Sequence, residues 1–305
     1  MLSKSGWQKI LMLVFTLALV FVISRSLIRT LPGDPIETLI AESGTRIDPQ
    51  VIREQLGLDR PFLLALIQDL QKMCDGDWGT SLVSNRPVMN LLTSRLGDTF
   101  ELAWITLIIG LIISVPLGLL AAATPRGCAD RFCSWYGSLA AALPVPWTGP
   151  VLMYLFAVLI PVFPLGGSVW LPAITLSFGF SGLWSRIIRN RVRETLAPEL
   201  SSSPSVSARA RGLPEYRILI KYGLNPCSGT LVAWMGTQIG GLLTGTFVTE
   251  LIFSRPGMGE LFIESVLSRD YPVVEAAVFV SASIILVCNL AGDLAQVWID
   301  PRLNA

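Results

Sequence analysis

Runs of twenty or more mostly apolar residues recur six times along the chain, at about Gln8 to Ile28, Thr99 to Ala123, Phe132 to Phe163, Val169 to Ile188, Leu231 to Phe253 and Val273 to Trp298. A hydrocarbon core of roughly 30 Å takes about 20 helical residues to cross. The pattern therefore predicts an all-α, polytopic membrane protein with six transmembrane helices. Pro116, Pro144, Pro146, Pro150 and Pro161 fall inside the second and third runs. Within a membrane bundle such prolines mark kinks, because neighbouring helices re-satisfy the carbonyls they free. The first run follows Lys4 and Lys9 and has no small-residue cleavage site, so it is expected to be a retained anchor.

Two longer polar stretches interrupt the runs. In residues 31–97, Asp48-Pro49 opens a helical pattern through Val51, Ile52, Leu56 and Leu58. Pro61 opens another through Leu63, Leu64, Ile67 and Leu70, which Gly76-Asp77-Trp78-Gly79 ends. This predicts a small helical cap. In residues 194–225, the stretch Ser207 to Tyr222 sets a small-residue turn beside a short amphipathic helix, with Leu213, Tyr216, Leu219 and Ile220 on one side and Arg217 and Lys221 on the other. The expected organisation is a single transmembrane domain over 1–305: a first span in 1–30, an outer helical segment in 31–97, and a core bundle in 98–305.

Charge gives these segments a side. The connection between runs two and three holds Arg126 and Arg131, and that between four and five holds Arg186, Arg189, Arg191, Arg193, Arg209, Arg211, Arg217 and Lys221. The connection from Pro164 to Ser168 has no charge. The positive-inside rule then places both termini and the Arg-rich loop in the cytoplasm, with the 31–97 segment and Ser254 to Pro272 outside. A basic loop after a span is also suited to anionic membrane lipid.

Composition narrows the chemistry. Hydrophobic residues make up 52% of the 305 residues and charged ones 15%, the formal net charge is +1, and the mean hydropathy is +0.60. A near-neutral chain of this kind has no polyanionic footprint, so no nucleic-acid partner is expected. There is no histidine, and the five cysteines form no Cys-x-x-Cys pair. The commonest general base and the commonest metal ligand are thus missing, and neither a catalytic residue, a metal site nor a cofactor is predicted. No Gly-x-x-x-x-Gly-Lys-Ser/Thr cradle occurs, so the chain is not expected to split nucleotide itself. Energy must come from a partner or from a gradient. A gradient-coupled secondary transporter keeps a carboxylate near the midplane, whereas Glu101, Glu250, Glu275 and Asp293 all fall near the ends of runs.

The fifth run carries Gly236, Gly240, Gly241 and Gly245, spaced for close helix approach. Two readings stand side by side: plain packing, or a weakly polar wall of a translocation path to which Thr237, Gln238, Thr244, Thr246 and Thr249 also contribute. On the second reading Gln238, Gly241, Thr244 and Gly245 are the pore-lining candidates.

The loop string Ala208-Arg209-Ala210-Arg211-Gly212-Leu213 resembles the coupling loop of bacterial ABC importer permeases of the oligopeptide, dipeptide and nickel group. Leu31-Pro32-Gly33-Asp34-Pro35, Gly76-Asp77-Trp78-Gly79-Thr80-Ser81, Phe253-Ser254-Arg255-Pro256-Gly257-Met258-Gly259, Arg269-Asp270-Tyr271-Pro272 and Asp300-Pro301-Arg302 are similar, in the same order, to the first permease of the pair. The resemblance implies a bacterial inner-membrane subunit that forms half of a pore with a second homologous permease. Cytosolic ATPases would grip Ala208, Arg209, Ala210, Arg211, Gly212 and Leu213, and an external solute-binding protein would deliver a peptide or a small solute such as a nickel complex. ATP-driven closure of the ATPases would move the coupling loops as levers. The chain departs from the family at Ser201 to Ser207, where Pro204 predicts a helix break.

Overall fold

A computed structural model describes residues 4–30, 61–164, 166–196 and 204–299. These residues form helices and turns, and the one β contact among them is an isolated bridge between Thr80 and Pro87. The helices are α1 (Lys4–Thr30), α2 (Phe62–Cys74), α3 (Val88–Ala123), α4 (Cys128–Ala142), α5 (Val145–Met153), α6 (Trp170–Leu196), α7 (Pro204–Ala210), α8 (Glu215–Ile218), α9 (Asn225–Ile252), α10 (Met258–Leu267) and α11 (Tyr271–Ile299). The all-α expectation holds. The Asp48–Leu58 helical pattern, the Leu31–Pro35 string and the Asp300–Arg302 string lie outside the described residues.

Among the described residues four helical stretches are long and apolar enough to cross a membrane: Gln8–Ser26, Val88–Ala123, Glu215–Ile252 and Tyr271–Ile299. The third predicted run is two helices, Cys128–Ala142 and Val145–Leu159, bent by 101°. The break falls at Leu143-Pro144, where the proline disfavours helical φ/ψ at the residue before it. The fourth run is helical in α6, but α6 fails the apolar test. Its Ser177, Ser181 and Ser185 are buried and return their hydroxyls to carbonyls of their own helix, at Ile174, Ser177 and Gly182. Helix α3 starts at Val88, so the last ten residues of the predicted outer segment are its opening turns.

The chain divides into two compact units, residues 1–99 with 256–287, and 100–255 with 288–305. In the first, Asp270 is the organising group. It is buried, accepts a hydrogen bond from Ser81 Oγ at 2.5 Å and another from the Leu82 amide at 3.0 Å, and so holds the Gly79–Val88 loop. The Met258 amide, in the first turn of α10, donates to Thr99 Oγ1 at 2.8 Å.

In the second unit α6 is central. Its Phe180, Trp184, Ile188, Val192 and Leu196 form one apolar core with Leu107 and Ala122 of α3 and Leu231 and Leu242 of α9. Helix α9 meets the last turns of α11 through two glycines. A β-carbon at Gly236 would lie 2.6 Å from the Gly292 Cα, and one at Gly292 would lie 2.8 Å from the Gly236 Cα. For Gly236, then, the packing reading is the observed one.

Candidate coupling site

The site is the cationic loop after α6, built on the second unit's core. Helix α6 leaves that core carrying Arg189 and Arg193, both directed at Asp130 in the first turn of α4. Arg189 Nη1 lies 2.9 Å from Asp130 Oδ1, and Arg193 Nη2 lies 3.1 Å from Oδ2. The Arg126 amide donates to the same carboxylate at 2.8 Å, Arg189 reaches Ser134 Oγ, and Arg193 reaches the Ala121 carbonyl. One carboxylate thus ties the α3–α4 turn to the end of α6. Its three donors come from residues that the charge pattern alone presents as a topology signal.

Residues 197–203 lie outside the described part, and α7 begins at Pro204. Pro204 is the first described residue of α7, so the helix break expected at Ser201 to Ser207 lies mostly outside the described residues. From Pro204 on the chain is helical, and Ala208-Arg209-Ala210, expected to lie in a small-residue turn, closes this short helix.

The close of α7 follows from its hydrogen bonds. The Leu213 amide donates to the Ala208 carbonyl at 3.2 Å, and the Gly212 amide donates to the Arg209 carbonyl at 2.9 Å. This nested pair is the Schellman motif, which requires a left-handed residue at its apex. Gly212 supplies it with φ of +74°. The motif's apolar clasp is also present, since Ala208, fully buried, and half-buried Leu213 belong to the α6 core.

After the turn, Pro214 starts α8, and a wider π-type stretch, Leu219–Leu224, leads without a break into α9. The extra residue per turn shifts the phase of the side chains. Ile218 and Leu219 therefore enter the core, whereas Tyr216 and Ile220, predicted to share the apolar face, are exposed. The Cys227 thiol lies 2.9 Å from Thr195 Oγ1, so the start of α9 is held against the end of α6.

The six coupling residues thus divide into two groups. Ala208 and Leu213 anchor the turn; Arg209, Ala210, Arg211 and Gly212 are exposed around it. Arg209 bridges to Glu215 across the turn with Nη2 to Oε1 at 2.7 Å, and this hydrogen bond raises the arginine pKa further. Arg211 Nε donates to the Ser207 carbonyl at 3.2 Å. The arrangement offers an exposed cationic surface on a hydrogen-bonded backbone turn.

Of the pore candidates, Gln238 is half-buried and Gly241 is exposed with open space around it. Thr244 and Gly245 lie on α9 with their surroundings outside the described residues. Thr246 and Thr249, which the sequence grouped with the wall, are buried, and Thr246 donates to the Leu243 carbonyl. The partner of Gly236 is not legible in the sequence, because Gly292 lies on another helix far along the chain.

Comparison with known proteins agrees with this geometry. Residues 114–305 match the family described as binding-protein-dependent transport system inner membrane component. The chain is 30% identical to the oligopeptide transport system permease protein AppB of Bacillus subtilis, over 97% of this chain and 98% of that protein. It is 32% identical to the glutathione transport system permease protein GsiC of Salmonella typhimurium, over 97% of each. It is 30% identical to the probable D,D-dipeptide transport system permease protein DdpB of Escherichia coli, over 99% of this chain and 97% of that protein. The chain therefore belongs to the binding-protein-dependent transport system inner membrane components, the permease subunits of ATP-driven importers, in which a separate subunit hydrolyses ATP and a binding protein supplies the solute.

Proposed function

We propose that this chain forms half of the translocation pore of a bacterial peptide importer, pairs with a second homologous permease, and receives the ATPase stroke through the Gly212 turn. The observation that carries the reading is the division of that turn. Ala208 is sealed into the α6 core while Arg209 to Gly212 stand exposed, so a push on the exposed residues moves the core of the second unit as one body. The cargo class rests on relatives named for oligopeptide, glutathione and D,D-dipeptide. A nickel complex, which the sequence also admitted, has no support among these names. In this reading six helices cross the membrane, α6 among them shielded by its neighbours, both termini and the α7 turn face the cytoplasm, exposed basic residues of the loop lie near anionic lipid, and Gln238, Gly241, Thr244 and Gly245 border the path.

Gly212→Val tests the coupling role. The left-handed apex becomes strained by about 1–2 kcal/mol for a residue with a β-carbon, while the spans are untouched. The assembled variant should insert normally, retain less ATPase on affinity capture and lose ATP-dependent peptide uptake. Gly166→Val, at an outer position with open space and no positive φ, is the control. Wild-type uptake by a fully assembled Gly212→Val complex would falsify the role; uptake surviving ATP depletion but not collapse of the proton gradient would instead establish the gradient-coupled reading.

A further inference from the structure

The first unit contains a cavity of about 250 Å³, of mixed polar and apolar lining, between α1, α2, the Asp77–Thr80 turn and the opening turns of α11. That is many times the ~15 Å³ a single water requires. One wall is aromatic: the Phe279 ring is met edge-on by Phe21 at 6.1 Å between centroids and by the tilted Trp78 ring at 5.9 Å. The other wall is ionic. Arg25 Nη1 lies 2.6 Å from Glu275 Oε2, and Arg25 Nε lies 3.3 Å from Asp69 Oδ2.

The ionic wall is not balanced. Arg25 and Lys72 line the cavity with the three carboxyl groups of Asp69, Asp77 and Glu275, so among the described residues acidic groups outnumber cations there by one. Asp77 spends Oδ1 on the Gly79 amide at 3.0 Å. The other oxygen of Glu275, Oε1, is buried without a donor among the described residues. A buried acceptor without a donor is uncommon in folded proteins and marks a place where a further donor belongs. An unmet carboxylate oxygen in a cavity lined by aromatic rings matches an alkylammonium ion, whose N–H groups satisfy the carboxylate while its charge rests against the rings. Lys72, exposed at the rim, adds a cation suited to the anionic end of a zwitterion.

We propose that the cavity bounded by Phe21, Arg25, Asp69, Trp78, Glu275 and Phe279 binds the primary ammonium of a small zwitterion, with Glu275 Oε1 as its acceptor. Two sources carry that chemistry, an ethanolamine phospholipid headgroup and a free zwitterionic solute. The site is independent of the coupling turn, so its failure leaves the proposed function untouched.

The test is calorimetric titration of ethanolamine into the full transporter complex in nanodiscs of phosphatidylglycerol alone. Saturable binding is expected, absent for ethylene glycol, which lacks the charge. Glu275→Gln should weaken it at least tenfold. Trp78→Leu, which leaves the Arg25–Glu275 pair intact, should weaken it several-fold, and Glu264→Gln, at an exposed position on α10, should not change it. Repeating the titration in phosphatidylethanolamine nanodiscs separates the sources: loss of ethanolamine binding there assigns the site to the lipid headgroup, and undiminished binding assigns it to a free solute. No ethanolamine binding in phosphatidylglycerol discs overturns the proposal, as does binding by Glu275→Gln and Trp78→Leu that equals the wild type.

Discussion

The turn at Gly212 and the turn at Arg269 share one backbone design and serve opposite ends. At the close of α10 the Asp270 amide donates to the Ser265 carbonyl and the Arg269 amide to the Val266 carbonyl, the same nested pair that ends α7. Yet the apex residue there is an arginine with φ of +56°. Its left-handed conformation is strained, and what holds it is the next residue, the buried Asp270 clasped by Ser81 and Leu82. The close of α9 repeats this with Ser254 at φ of +46°, followed by buried Arg255 and its 2.5 Å contact with Glu101. At Gly212 the next residue is apolar, Leu213, and it makes only the light clasp with Ala208. An exposed turn is thus freed of strain by glycine, whereas turns that place a buried charge tolerate strain because the charge is held from outside.

The comparison breaks most sharply at Asp270. Asp270→Ala removes the acceptor of a buried hydroxyl and a backbone amide and releases the strained Arg269 apex, so it should cost about 3 kcal/mol. Thermal unfolding of the purified complex should show a clear fall in Tm. An unchanged transition would mean that the clasp does not hold the turn.

A paired substitution of smaller size sharpens it. Gly212→Ala should destabilise by about 1 kcal/mol, because its native φ is positive, and Arg269→Gly should stabilise by up to about 1 kcal/mol by relieving the same strain. Chemical denaturation of both variants beside the wild type reads the two signs. Equal signs would refute the division between strained and unstrained turns.

The smallest effect belongs to the exposed bridge over the coupling turn. Arg209 and Glu215 keep 44% and 50% of their side-chain surface in solvent, so a double-mutant cycle should return no more than about 0.5 kcal/mol, falling further at high salt. A coupling several times larger would make the bridge, and not the nested backbone bonds, the brace of the turn.

Much of this was legible from the chain. Apolar runs of span length locate α1, α3, α9 and α11 because the bilayer sets a length that composition alone reveals. Gly76 and Gly212 announce their turns because a left-handed apex favours the one residue without a β-carbon. Arg269 and Ser254 announce nothing, since the contacts that hold them come from residues well over a hundred positions away. Separations of about sixty residues are enough to hide a contact too, as for Asp130 with Arg189 and Arg193 of α6, and for Gly292 with Gly236 on another helix.

The sequence by itself determined that the protein is an all-α membrane subunit without a nucleotide cradle, which segments carry its positive charge, and where the glycine turn of the candidate coupling loop falls. These are properties of composition and local spacing, fixed before any two distant residues meet. The tertiary structure alone decided which residues of that loop are anchors and which are exposed, which glycine is a packing contact, and where carboxylates gather around arginines. Burial and ion pairing depend on residues far apart in the chain coming within a few ångströms, and no local pattern records that.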